Sequence, residues 1–474
     1  MTVITGINRN MVWIWLKLAL IMFLSGACSP FIPQARTVSV EDMPEAFSLY
    51  PATPSNPDPW WLSFGSPELN RFLDEAFDGN FSLRQAWARL EQARALAVQA
   101  GADLYPDLSA TGGTTHARQR SDNGTADTFT TRNYSLGLSS RYEIDLWGRI
   151  RAERTAGTLT ADATLEDWNA TVIALAAEVA TSWAQIISRQ MQLRLLDDQL
   201  KTNRIYLELV ELRYRKGMVS ALDVFQQKQV VENVRAQIPL VEASKQLLLN
   251  QLAVLLGKAP GSRLDMGEAA LPIPEDIPAV GLPADLLASR PDVRAAGLRL
   301  AAADWQLTAA RADRLPAISL TGTVGYGPAD IDRVLDNWIL SLASNLAAPI
   351  LDGGRRAAEV DRSEAVIDEN LAAYRETVLI AIREVEDALV SETGQRQHIA
   401  ALGLQFEAAQ KALVEARERY RKGIDDYLPV LTQLLAVQNL ERDLIEQKAE
   451  LLIDRIDLYE ALGGSWPDSL HAGR

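Results

Sequence analysis

The chain has 474 residues, with 62 acidic against 47 basic side chains and a formal net charge of -15. That balance excludes a nucleic-acid partner, whose phosphates need clustered Lys and Arg, while the length leaves ample material for a large buried core. A single cysteine, Cys28, excludes an internal disulfide framework.

Arg9 and Lys17 flank or precede an apolar stretch, and Leu18–Phe23 runs into Ser25, Gly26 and Ala27 just before Cys28. This is the order of a secretory signal peptide, 1–27, with its cleavage site. It is too short, and too soon followed by Pro30 and Pro33, for a spanning helix of about 20 apolar residues. No other stretch of that length and apolarity is evident, so a later membrane span is expected to be made of strands. A lone cysteine after such a segment resembles the acylated first residue of a bacterial lipoprotein, although Ser25 stands where Leu is expected and Leu24 lies four residues ahead. An incidental thiol is the other reading. One acyl group anchors only weakly, so several chains or a second membrane element should help. Residues 28–80 are expected to be an N-terminal, lipid-anchored periplasmic segment.

Beyond residue 80 the sequence repeats itself. Arg213-Tyr214-Arg215-Lys216-Gly217 recurs as Arg419-Tyr420-Arg421-Lys422-Gly423, 206 residues later (420 − 214). Leu256-Gly257 matches Leu462-Gly463, and Gly148-Arg149 matches Gly354-Arg355, at the same offset. Tyr105-Pro106 pairs with Leu315-Pro316 at 210 (316 − 106), so the copies differ in loop length between Pro106 and Gly148. The duplication spans 81–257 and 291–464, around a Pro/Gly-rich connector at 258–290, with a C-terminal tail at 465–474. The period is far too long for a solenoid, so each copy is a sub-architecture of its own.

Each copy opens with a helix rich in Ala, Leu, Arg and Gln, the first from about Ser82 to Leu104. Two strands follow, expected near 104–117 and 133–147, and in the second copy near 314–327 and 336–350. Leu136, Leu138, Tyr142 and Ile144 share one parity, Ser135, Ser139, Arg141 and Glu143 the other, and each run has about the length that a tilted membrane strand needs. A small sandwich with one wet face is the plainer reading. Four strands cannot close a barrel alone, since the smallest have about 8, so a barrel would need several copies of the chain.

Two long helices complete each copy, expected at 148–216 and 220–257, then at 354–422 and 426–463. Leu165, Trp168, Val172, Leu175, Val179, Ile186, Leu193, Leu196 and Leu200 step by three and four residues, a heptad seam. Some 65 helical residues span about 100 Å. Gly217 suits a left-handed C′ position, Ser220 with Asp223 reads as a capping box, and Gly423, Asp426 and Pro429 take the corresponding places in copy two. Two helical hairpin tips result. Pro239, with no counterpart in copy two, predicts a kink or break.

Six motifs in order resemble one family. They are Asp58-Pro59-Trp60-Trp61 with Phe64 and Pro67-Glu68-Leu69, then Asp145-Leu146-Trp147-Gly148-Arg149, Ser289-Arg290-Pro291-Asp292-Val293, Leu351-Asp352-Gly353-Gly354-Arg355 and the two Tyr-Arg-Lys-Gly tips. The chain resembles the TolC-like outer-membrane efflux channels, in the lipoprotein branch that serves resistance-nodulation-division (RND) pumps. The resemblance implies a mostly helical protein with a transmembrane β part, a homotrimer whose chains each give four strands to one 12-stranded barrel continued by a periplasmic helical tunnel. It implies passive export of drugs or other small compounds, with an inner-membrane RND transporter and a periplasmic adaptor as partners, and Cys28 as the lipidated residue of a protein in the Gram-negative outer membrane.

By the same resemblance the adaptor would touch Gly217, Met218, Val219, Gly423 and Ile424. Leu428 falls where the family has an apolar gate ring, but Thr432 replaces the usual carboxylate and Leu435 the usual Arg. Asp223, Asp425 and Asp426 could supply the charge instead; capping the helices is their other role. A channel of the same fold for protein or metal-ion secretion, and a coiled-coil scaffold with no pore, are the competing functions. No enzyme, metal or cofactor is indicated. His116, His398 and His471 are scattered, and Gly112-Gly113, Gly353-Gly354 and Gly463-Gly464 fit no phosphate loop. Acidic pairs such as Asp197-Asp198 and Glu384 with Glu386 read as solvated surface.

Overall fold

The computed structural model describes residues 31–33, 44, 46–48, 59–122, 126–267, 270–274, 277–278, 280–464 and 466–471. The signal segment 1–27 and Cys28 lie outside the described residues. In chain order the main elements are α1 (Pro67–Gly79), α2 (Phe81–Ala102), β1 (Asp107–Asp122), β2 (Ala126–Ile144), α3 (Arg149–Arg215), α4 (Ala221–Leu255), α5 (Pro291–Ala312), β3 (Ala317–Ala329), β4 (Trp338–Ala347), α6 (Arg355–Arg421) and α7 (Tyr427–Leu462). Shorter helical turns occur at Trp60–Phe64, Pro283–Asp285, Leu286–Ser289, Ile331–Arg333 and Asp468–His471. The chain divides into two compact units. One contains Arg89–Thr164 and Ala296–Tyr374, the other Leu165–Ala295, the chain from Arg375 onward and the segment ending at Ala88.

The first unit holds a single antiparallel sheet in the order β1-β2-β3-β4. Its strand limits differ from expectation at both ends. β1 and β2 stay paired without a break as far as Asp122 opposite Ala126, where 118–132 was expected to be loop. The added stretch is polar and carries no apolar alternation, yet β-branched Thr128, Thr130 and Thr131 suit extended backbone. β2 ends at Ile144 because Asp145 turns to cap α3, its carboxylate accepting from the Ile150 and Arg151 backbone N–H groups at 3.1 and 3.0 Å. β3 starts only after Pro316, and β4 ends before Pro349, since neither proline can donate to a ladder. Beside the sheet, α5 packs on α6 through Leu300, Ala303, Leu307, Ala310, Val360 and Ile367. α2 lies so close to α3 that a Cβ on Gly157 would sit 3.1 Å from the Ala97 Cα.

In the second unit the seam residues Trp168, Val172, Leu175, Val179, Ile186, Leu196 and Leu200 are buried. The buried face is wider than a heptad seam, since Ile173, Ala176, Ala180, Trp183 and Ile187 are buried too. This part of α3 is apolar enough by composition to cross a membrane, contrary to the expectation that no later segment would be, and it is mostly buried against protein. Trp60 stacks on Tyr459 with centroids 5.3 Å apart and Trp61 meets Trp466 edge-on at 4.6 Å, so the Asp-Pro-Trp-Trp motif is core. Truncating one such aromatic costs about 3–5 kcal/mol. α1, unforeseen from the sequence, is capped by Ser66 and buries Leu69, Phe72, Leu73 and Phe77 in the same cluster.

Pro239 does not break its helix, because α4 runs through it to Leu255. Proline leaves the carbonyl four residues earlier without a donor. Pro239 and Arg235 are both exposed, so water reaches that carbonyl. The acidic pair Glu384 and Glu386 is not merely solvated. Glu384 meets Arg290 at 2.8 Å, and Glu386 accepts from the Ser48 N–H at 2.7 Å.

Candidate functional site

Two places concentrate features that a packed core does not need. The first is the sheet, whose pairing register sorts side chains onto two faces. One face carries the rows Gly112–Leu136–Tyr326–Trp338, Ala110–Leu138–Val324–Leu340, Leu108–Ser140–Gly322–Leu342, Tyr142–Leu320–Ser344 and Ile144–Ile318–Leu346. The other carries Ser109–Ser139–Thr323–Ser341, Asp107–Arg141–Thr321–Ala343 and Glu143–Ser319–Asn345, with Ile339 as its large apolar exception. The apolar side chains on β4 are left exposed, with Leu342 83% exposed and Leu346 71%. On β2 the apolar band runs over nine residues, Leu136 to Ile144. That is roughly 30 Å along a strand and roughly 22 Å once tilted by about 40°, close to the hydrocarbon band of membrane barrels. Among the described residues β1 and β4 each leave one edge unpaired.

The second place is the pair of helical tips. α3 closes with the Met218 N–H donating to the Arg213 carbonyl at 2.9 Å, and α6 with Ile424 donating to Arg419 at 3.0 Å. Gly217 and Gly423 take φ +70° and +71°, the left-handed turn such a motif requires. Ser220 and Asp223 form a full capping box for α4, with Asp223 accepting from the Ser220 N–H at 2.9 Å. Asp426 is the N-cap of α7 but makes no side-chain cap bond, and Pro429 fits the first turn behind it. Asp425 instead pairs with Arg419 at 2.5 and 3.2 Å, which holds its carboxyl below the usual carboxylate range. In copy one Val219 stands at the place of Asp425, and Arg213 lies over the Tyr420 ring, 4.2 Å from its centroid.

A shared core joins the tips: Val210, Val230, Leu413, Ala416, Tyr420, Tyr427, Val430, Leu431 and Leu434 are buried together, with Val219, Val224 and Leu435 against them. Polar bonds cross it. The Tyr427 hydroxyl donates to Gln227 Oε1 at 2.7 Å, Gln227 Nε2 to the Asn203 carbonyl at 2.9 Å, and Asn203 Nδ2 to Gln438 Oε1 at 3.1 Å. Burial, reinforced by Tyr206, Tyr420 and Asp223, pushes the Tyr427 phenol well up, so it stays a donor at any working pH. The sequence offered no pointer to this chain of bonds, because its members are unremarkable helix residues and two of its three links join positions 200 and 235 apart.

Of the expected site residues, Gly217, Met218, Gly423, Ile424, Leu428 and Thr432 are exposed at the tips, and Val219 is half-buried. Leu428 is 53% exposed while its neighbour Tyr427 is buried, so it points away from the core. Thr432 donates its hydroxyl to the Leu428 carbonyl at 2.9 Å and presents no charge. Leu435, at the position of the expected Arg, packs on the tip core. Among the described residues no cluster of three or more His, Cys, Asp or Glu is placed to hold a metal.

An amphipathic sheet too small to close, set in a duplicated chain of long helices with paired tips, defines a protein that reaches a membrane with strands and continues as helices. A family model described as outer membrane efflux protein matches residues 72–258 and 282–464, both copies. The pyoverdine export outer membrane protein OpmQ of Pseudomonas aeruginosa is 34% identical over 416 residues, 86% of this chain and 87% of that one. The probable efflux pump outer membrane protein TtgC of Pseudomonas putida is 31% identical over 95% of both chains. Among solved structures, the outer-membrane channel OprN superposes with TM-score 0.84 at 27% identity, covering 92% of this chain and 99% of that one. CusC gives TM-score 0.84 at 27% identity, covering 92% and 100%. The chain belongs to the outer membrane efflux protein family. It is an outer-membrane channel protein of efflux, in a family of channels rather than enzymes.

Proposed function

We propose that three copies of this chain form the exit duct of a tripartite efflux pump, and that the duct closes at the helical tips. The observation that carries the reading is the sheet, with one apolar face, one polar face and two unpaired edges. Bare strand edges are costly in hydrocarbon, where no water satisfies them, so the edges must meet other chains. Three copies supply 12 strands, an even number above the minimum for closure. The polar face then lines an aqueous lumen and the apolar face meets lipid, with a lipid on Cys28 as a second anchor.

At the tips, Leu428 forms an apolar ring around the three-fold axis, with Thr432 one turn on. Asp426 and Asp223 lie beside it, while Asp425 is neutralised by Arg419 on its own chain. Gly217, Met218, Val219, Gly423 and Ile424 form the surface for a periplasmic adaptor, which links the duct to an inner-membrane RND transporter. The exported compounds are small molecules of the kind that name the relatives, pyoverdine, toluene and solvents among them. The test is a disulfide between neighbouring edges. Ser109→Cys combined with Ser341→Cys should give covalent dimers and trimers in outer-membrane fractions, and a ladder confined to monomer would rule out closure through β1 and β4.

A further inference from the structure

The β1–β2 ribbon rises well beyond the apolar band, and its pairing stays regular, so side-chain parity carries upward unchanged. On the face that carries Leu136 and Leu138, the next positions are Tyr134 opposite Thr114, Arg132 opposite His116, Arg118 opposite Thr130 and Arg120 opposite Thr128. The opposite face carries Gln119, Phe129, Thr131 and Asn133 over the same stretch and no Arg or Lys. Arg118, Arg120 and Arg132 are exposed, and among the described residues none has a carboxylate partner. The one acidic position on that face is Asp122, at the end of the ribbon.

Three guanidinium groups on the lipid side of one hairpin are unexpected in a chain of net charge -15. The second copy has no equivalent. β3 and β4 are joined by a short segment with Asp330, Asp332 and Asp336 against Arg333. The helices leave both hairpins from the opposite end of the strands, so in the barrel reading the ribbon projects on the far side of the membrane from those helix ends. Tyr326 and Trp338 mark the interface level, as aromatic belts do. Arg132 lies four residues above that row and Arg120 level with Thr128, eight above. With about 3.3 Å per residue and a tilt near 40°, the guanidinium groups start roughly 10 to 20 Å above the belt. That reach exceeds the headgroup layer of an ordinary bilayer, roughly 5–8 Å per leaflet.

We propose that Arg118, Arg120 and Arg132 form a docking ladder for the phosphates of a glycolipid in the outer leaflet, whose saccharide headgroup carries anionic charge higher than a phospholipid does. Planar guanidinium groups bind phosphate through paired N–H donors, and their stems lie along the ribbon. The proposal rests on the outer-membrane barrel reading, because parity puts the ladder on the lipid side only if the apolar face meets lipid.

The test uses the full-length protein in vesicles of phosphatidylcholine alone, with added phosphatidylglycerol, or with added lipopolysaccharide. The protein is re-extracted in mild detergent and the retained lipid weighed against the vesicle composition. The wild type should retain lipopolysaccharide several-fold above its share and phosphatidylglycerol much less. Arg118→Gln with Arg120→Gln and Arg132→Gln should return retention to the vesicle ratio, each guanidinium being worth about fivefold in partition near an anionic surface, with insertion and oligomer mass unchanged. Equal retention by wild type and variant, or equal enrichment of phosphatidylglycerol, overturns the proposal. Failure of the wild type to float with any vesicle overturns the barrel reading itself.

Discussion

Asp425 and Arg419 clamp the second tip through two bonds, Arg419 Nε to Asp425 Oδ2 at 2.5 Å and Nη2 to Oδ1 at 3.2 Å. The equivalent arginine of the first copy, Arg213, has Val219 where Asp425 would stand and rests on Tyr420 instead. Duplication has thus given two tips with the same backbone turn and different locks. Tip two is held by charge and tip one by an aromatic ring borrowed from the other copy.

The charge lock depends on acid. Asp425 titrates below its unfolded value because Arg419 donates to it, so its contribution is present above the unfolded pKa and is lost as pH falls through the folded one. The pair should persist at pH 5 and above and open only below about pH 4. Amide exchange at residues 423–427 should speed up in that range, and Asp425→Asn should show the faster exchange already at pH 7.

A buried charge pair in the second unit gives a larger effect. Glu392 is fully buried and accepts from Arg455 at 2.9 and 2.6 Å and from Arg396 at 2.8 Å. Glu392→Ala leaves a buried guanidinium unpaired and should cost about 3–5 kcal/mol in denaturant unfolding. Replacing Glu392 and Arg455 together by apolar residues should cost less than Glu392→Ala alone.

A groove of about 540 Å³ lined by Arg290, Glu384, Asp387, Asp454, Asp457 and Glu460 behaves in the opposite way to Asp425. Burial and neighbouring carboxylates push Glu460 up to about 7 and Asp454 up to about 6. Raised acids stabilise the fold most below their unfolded pKa, and that stability fades as pH rises through 6 to 7. Melting temperature should therefore rise on going from pH 8 to pH 5. Glu460→Gln should stabilise the fold at pH 8 by on the order of 1–2 kcal/mol after allowance for solvent screening.

The two faces of the sheet make unequal demands. Leu342 lies midway along the apolar band, so Leu342→Arg should cost about 2–4 kcal/mol in the bilayer and deplete the protein from outer-membrane fractions. Ser341→Arg, one residue away on the polar face, should leave the amount inserted unchanged.

Much of this was legible because it is written in periods and stops. The 206-residue repeat, the alternation of Leu136 to Ile144 and the glycines at 217 and 423 each carry their own physical signature. What escaped the sequence lacked one. The upper ribbon, 118–122 with 126–132, is extended without apolar alternation, so no pattern announces it. The sequence predicts a kink or break at Pro239, and the helix runs on because the residue's exposure, which lets water serve the freed carbonyl, depends on packing. Nothing in the sequence sets Glu392 apart, because the Arg455 that pairs with it lies 63 residues later. At the tips the capping box of Ser220 and Asp223 is legible in the sequence, whereas the Arg419–Asp425 ion pair and the lack of a side-chain cap bond at Asp426 emerge only from the fold.

The measurement that reaches furthest is planar-bilayer conductance of the detergent-extracted protein, compared with Leu428→Ala and with Asp425→Asn plus Asp426→Asn. A duct closed by an apolar ring at the tips gives small, mostly closed wild-type currents that rise clearly when Leu428 is truncated. If no preparation conducts, and the protein leaves the membrane fraction without detergent, the chain is not a channel and the gate at Leu428 does not exist.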